Sequence, residues 1–147
     1  MAFNRFQSAG FMINWCSRVF ERRMAEALRP LGLTPAYLPV LFTLADLGTA
    51  TQGELAKIAA IQQPTMAVTL RRMERDGLVA RTPDEADQRR TIMRLTPKAK
   101  DLLPEVEAHA NQINATALKT LPADASEHFI ALLRQIADNL APTPPSP

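Results

Sequence analysis

Apolar positions recur at helical spacing along most of the chain and shorten into strand-like runs only once, near its middle. Residues 8–29 carry Met12, Trp15, Cys16, Val19, Phe20, Met24 and Leu28 at three- and four-residue steps, which predicts one helix. Pro30 and Gly32 stop it. Thr34-Pro35 restarts a helix, with the hydroxyl as N-cap and the proline in the first helical position. Leu38, Leu41, Phe42 and Leu44 give that helix its apolar face before Gly48, and Pro39 lies early enough to be tolerated. Thr51-Gln52-Gly53-Glu54 opens a third helix as a capping box, with a hydroxyl at the N-cap and a carboxylate three residues on. A turn at Ala60-Ile61 separates it from a fourth helix that begins at Gln63-Pro64 and ends at Gly77.

The pattern then changes. Leu78–Thr82 and Thr91–Leu95 are short β-like runs around a polar segment, Pro83 to Arg90, and read as a hairpin. Thr96-Pro97 caps a long helix whose Leu103, Val106, Ala110, Ile113 and Ala117 form a heptad-like seam. Pro104 lies deep enough inside it to predict a bend. Leu121-Pro122 breaks the chain before a last helix with Phe129, Leu132, Leu133, Ile136 and Leu140. The proline-rich residues 141–147 read as a disordered tail. The expected fold is mainly α with a small β-hairpin: a winged helix-turn-helix over about 34–96, flanked by helices at about 8–29 and 97–140 in a single protomer spanning 1–140.

The fourth helix shows which way it faces. Met66, Leu70 and Met73 lie at i, i+4 and i+7 and turn to the core, joined by Leu78 and Val79. The opposite face then holds Pro64, Val68, Arg71 and Arg75, with Thr65, Ala67 and Arg72 on its flanks, and Gln63 at the helix start is a further candidate for DNA contact. Small, polar and cationic groups suit entry into a major groove. Thr65 can bond a phosphate or base edge, Ala67 and Val68 can meet a thymine methyl, and the arginines can clamp phosphate or guanine.

Charge sharpens this picture. The 147 residues carry a net charge of only +2, but residues 57–100 hold ten basic side chains against five acidic ones. Residues 1–56 are near balance and residues 101–147 are acidic. A basic middle between neutral and acidic ends fits an electrostatic footprint on phosphate. The hairpin tip adds Asp87, Arg89 and Arg90. A guanidinium there can enter a minor groove, while Asp87 accepts hydrogen bonds from an arginine and shapes the tip.

These residues resemble the MarR family of bacterial transcriptional regulators from about Gly10 to Leu140. The likeness lies in Leu33-Thr34-Pro35, Thr51-Gln-Gly-Glu-Leu-Ala56, Gln63-Pro-Thr-Met66, Leu70–Val79, Asp87-Gln-Arg89-Arg90 and Leu95-Thr96. The family's doubled Asp-x-Arg wing pattern is incomplete, because Ala86 stands where the first arginine would be, and Ala99 replaces a frequent glycine. The resemblance implies a homodimer joined by the N- and C-terminal helices and bound to duplex DNA at a pseudo-palindromic operator. It also implies a repressor released by a small, often aromatic, ligand, for which Trp15, Phe20, Tyr37 and Phe42 are the candidate lining.

Two other readings stay open. One is a redox-responsive regulator acting through Cys16, the chain's one cysteine; the other is a winged-helix module for protein interaction. An enzyme is not expected, since no glycine-rich phosphate loop, activated nucleophile or carboxylate pair is present. No cofactor is expected, and no metal, because His109 and His128 lack partners at ligand spacing. With no apolar run of about 18 residues, no signal-peptide pattern in residues 1–11 and a single cysteine, a cytoplasmic protein without membrane contact is expected.

Overall fold

Six α-helices and three short strands make up the computed structural model, which describes residues 4–141. The expected disordered tail therefore lies, apart from Ala141, outside the described residues. The elements run α1 (Ala9–Leu28), α2 (Leu38–Leu47), β1 (Thr49–Thr51), α3 (Gln52–Ile58), α4 (Gln63–Arg75), β2 (Val79–Pro83), β3 (Thr91–Leu95), α5 (Pro97–Leu118) and α6 (Ala125–Leu140). The chain divides into two compact units, one through Ile113 and one from Asn114. Among the described residues, no single helix is long and apolar enough to cross a membrane.

In the first unit, local chemistry sets most boundaries. Ser8 caps α1 by accepting the Phe11 N–H. Thr34 stands at the N-cap of a 3-10 turn, Pro35–Tyr37, but its hydroxyl makes no capping bond. Proline at the first position already removes one orphan N–H, so the turn needs less from the side chain. Pro39 falls in the first turn of α2 and Gly48 ends that helix at φ +78°. At α3 the capping box is complete: Thr51 Oγ1 accepts the Glu54 N–H at 3.2 Å and Glu54 Oε2 accepts the Thr51 N–H at 2.7 Å. At α5 only the hydroxyl half is present: Thr96 Oγ1 accepts the Ala99 N–H at 3.3 Å while donating to the Gly77 carbonyl at 2.6 Å. α5 continues through Pro104 as one element.

The wing is larger than the expected hairpin. β2 and β3 pair antiparallel with Val79 opposite Leu95 and Pro83 opposite Thr91, and β1 adds to the far side of β3 with Thr49 opposite Arg94. The sheet order is β1-β3-β2. This third strand joins the hairpin to the start of α3.

One core holds the unit. It includes Val40, Leu41 and Leu44 of α2, Leu55 of α3, Met66, Leu70 and Met73 of α4, and Leu78, Val79, Met93 and Leu95 around the sheet. Met24 and Leu28 from α1 and Ala99 and Val106 from α5 also belong to it. Upstream on α1 the apolar stripe is left open: Trp15 is 49 % and Val19 44 % exposed. In the second unit α6 buries none of its residues, and Phe129, Ile130 and Leu132 are each 43 % exposed.

Candidate nucleic-acid interface

The heptad-like register of α4 is the origin of the site. Met66, Leu70 and Met73 are fully buried, which forces the other side of the helix outward. Gln63, Pro64, Thr65, Val68, Arg71, Arg72 and Arg75 are exposed, and Ala67 is half-buried on the flank. Gln62, at the N-cap, makes no side-chain capping bond, so the first N–H groups of the helix have no side-chain acceptor there. Ala60, in the turn between α3 and α4, sits at φ +53°, a conformation that usually selects glycine.

The C-terminal end of α4 is clamped from three directions. Asp76 accepts a 2.7 Å hydrogen bond from the Tyr37 hydroxyl and one of 3.0 Å from Arg75 Nε. Lys98 Nζ donates to the Asp76 carbonyl at 2.8 Å, placing a cation at the negative end of the helix. The hydrogen bond from Arg75, then that from Tyr37, holds the Asp76 carboxyl below the usual carboxylate range. Burial, reinforced by Asp76, raises the Tyr37 phenol. Arg75 in turn is held more firmly protonated by Asp76. The Tyr37 and Lys98 contacts tie the end of α4 to the turn before α2 and to the start of α5.

At the hairpin tip the two arginines differ. Arg89 is almost fully exposed, with its Nε 3.3 Å from Asp87 Oδ1. The same Asp87 oxygen also accepts the Arg89 N–H at 3.1 Å, so Asp87 shapes the tip. Arg90 instead folds back, its NH2 3.2 Å from Glu54 Oε1 and its NH1 3.8 Å from Asp84 Oδ2. Asp84 further closes the loop by accepting the Ala86 N–H.

The four aromatics proposed as a ligand lining are not equivalent. Tyr37 is 4 % exposed, with its hydroxyl spent on Asp76, and Phe42 packs against the core. Trp15 and Phe20 are exposed on α1, as is Cys16. Two surface clefts in the first unit are lined by other residues. One, of about 280 Å³, lies between Leu31, Leu33, Asp76, Leu78 and Lys98. The other, of about 480 Å³, lies between Leu44, Thr49, Arg94, Lys100 and Leu103.

Sequence reasoning missed Glu54 as a partner of the wing and Asp76 and Lys98 as the clamp on α4. Glu54 was visible as a capping residue, but nothing local announces that its second oxygen meets Arg90, 36 residues away.

A profile of the MarR family matches residues 31–90, the stretch from the end of α1 to the wing. A crystal structure of a probable transcriptional regulator from Pseudomonas aeruginosa superposes with a TM-score of 0.81 at 27% identity, over 90% of this chain and 99% of that one. The chain is similar to MarR-family transcriptional regulators. The matched stretch contains the winged helix, and two further structures share the fold. The Bordetella bronchiseptica protein BpsR, described by a mechanism for regulation of DNA binding by 6-hydroxynicotinic acid, matches with a TM-score of 0.84 at 25% identity, covering 94% and 99% of the two chains. A cysteine-to-serine mutant of MarR from E. coli, complexed with operator DNA, matches with a TM-score of 0.82 at 25% identity, covering 92% and 98%.

Proposed function

We propose that this chain is a MarR-family regulator that binds duplex DNA as a homodimer, with α4 in the major groove and Arg89 of the wing in the minor groove. The observation that carries the reading is the division of α4 into a fully buried Met66–Leu70–Met73 face and an exposed face of Thr65, Val68, Arg71, Arg72 and Arg75. A major groove admits a helix of this kind, and the exposed start of α4 turns its N–H groups and positive dipole end to phosphate. Asp87 and Arg90 belong to the wing's contribution, Gln63, Pro64 and Ala67 to that of the helix.

A single α4 and wing span few base pairs, so a two-fold site read by two copies supplies the specificity. The open apolar residues of α1 and of α6 are the surfaces a second copy would cover. Control follows the same two-fold logic. A small aromatic effector that favours a different spacing of the two α4 helices releases the operator, which makes the protein a ligand-released repressor. Of the four candidate aromatics, Trp15 and Phe20 have the exposure to meet such a ligand.

The test is a gel shift on DNA from immediately upstream of the chain's own coding region. Binding is expected to weaken steeply as salt rises, because phosphate contacts release counterions. A complex indifferent to salt, or none at low salt, would favour a protein-interaction module instead.

A further inference from the structure

Resting on that DNA-binding reading, we infer that Arg90 is a positioning residue: it locks the wing to the first turn of α3, leaving Arg89 as the wing's DNA contact. The Arg90 guanidinium lies between two carboxylates on different elements, Glu54 at 3.2 Å and Asp84 at 3.8 Å. To touch a phosphate it would have to leave both. Its backbone is tied as well, its N–H donating to the Asp87 carbonyl at 2.9 Å and its carbonyl accepting the Asp84 N–H at 2.8 Å. Arg89, one residue earlier, has 93 % of its side chain exposed and one carboxylate partner on its own loop.

Glu54 makes the anchor stiff because both its oxygens are used. Oε2 accepts the Thr51 N–H in the capping box while Oε1 faces Arg90. Thr51 is also the last residue of β1, paired with Ile92 on the strand that leaves the wing. The wing is therefore held to α3 by a side-chain bridge and by the sheet, and α3 leads through one short turn into α4. Each exposed ion pair is worth little by itself. What the bridge supplies is orientation of residues 84–90, which join the sheet only at their two ends. A guanidinium suits this role because its planar fork spans two acceptors, which an ammonium cannot do with the same geometry.

The decisive experiment is a double-mutant cycle in DNA affinity, read by fluorescence anisotropy on the upstream duplex at one salt concentration. The variants are Arg90→Gln, Glu54→Gln and the pair together. Glutamine at position 54 preserves the capping box, since its carbonyl oxygen can accept the Thr51 N–H. The expected result is a loss of about fivefold for either single change, with the double variant no worse than the weaker single. Loss of affinity on removing a negative charge from a DNA-binding protein is the signature of positioning. Tighter or unchanged binding by Glu54→Gln, with Arg90→Gln costing the same in both backgrounds, would make Arg90 a direct phosphate contact and overturn the inference.

Amide hydrogen exchange of residues 84–90 in the free protein gives a readout independent of DNA. Exchange should quicken in both single variants and stay unchanged in Arg89→Ala. Unchanged exchange in Arg90→Gln would sink the bridge. Absence of DNA binding by the wild-type chain would sink the functional reading instead, and the exchange result would still decide the bridge.

Discussion

Leu70 and Arg71 are neighbours in sequence and lie on opposite faces of α4, so truncating each should damage a different property. Leu70 is fully buried at the centre of the core. Leu70→Ala removes three carbons, about 2.4 kcal/mol at ~0.8 kcal/mol per buried methylene. The cavity left behind adds to this, for a total of about 3–4 kcal/mol. At about 2–4 °C per kcal/mol for a chain of this size, Tm should fall by roughly 10 °C. Arg71 is exposed, and Arg71→Ala should alter stability by less than about 0.5 kcal/mol. Its loss should appear in DNA affinity, at about 1–3 kcal/mol if it reaches a base edge. Thermal denaturation by circular dichroism and anisotropy titration on the same samples separate the two effects. The register is wrong if Leu70→Ala leaves Tm in place, or if Arg71→Ala lowers it by a comparable amount.

Further outcomes follow from particular residues. Ala60→Gly relieves a positive φ of 53° and should raise Tm slightly, the relief of about 1 kcal/mol being partly offset by glycine's greater freedom when unfolded; a clear loss of stability would contradict this. The Asp76 carboxyl has a depressed pKa, so its stabilisation is fully present above the ordinary carboxylate range and is lost as pH falls through the lower folded value. Asp76→Asn should therefore flatten the acid limb of a plot of Tm against pH, and an unchanged limb would remove the clamp. Tyr37 runs the other way: with its phenol raised, its contribution is present below about pH 10 and is lost as pH rises through the folded value, a loss that Tyr37→Phe should abolish in alkaline melts. Arg89→Ala should weaken all duplexes and most of all those with A·T-rich flanks, as competition titrations would show; equal affinity would remove the wing from the minor groove.

Features decided by neighbouring residues were legible in the sequence. The Thr51–Glu54 capping box, the buried Met66–Leu70–Met73 face and the two strands of the hairpin all rest on interactions within a few positions or on a strong period. Those decided by distant partners were not. β1 is only three residues long, and Thr49-Ala50-Thr51 becomes a strand because Arg94, Met93 and Ile92 offer it an open edge. Tyr37 read as a ligand-facing aromatic because its periodicity is silent on burial, whereas its hydroxyl meets Asp76, 39 residues away. Thr34 carries the chemistry of a cap, but its hydroxyl is not used as one. Arg89 and Arg90 look alike in sequence and diverge because Glu54 of α3 and Asp84 of the loop lie beside one of them.

The claim on which the functional account rests is that the outward arginines of α4 meet a duplex. Its most direct measurement compares the slope of log affinity against log salt for the wild-type chain and for Arg71→Ala combined with Arg72→Ala. Each lost phosphate contact should make the slope shallower by about one unit, alongside weaker binding at every salt concentration. Identical slopes and affinities for the two proteins would mean that this face of the helix points away from DNA.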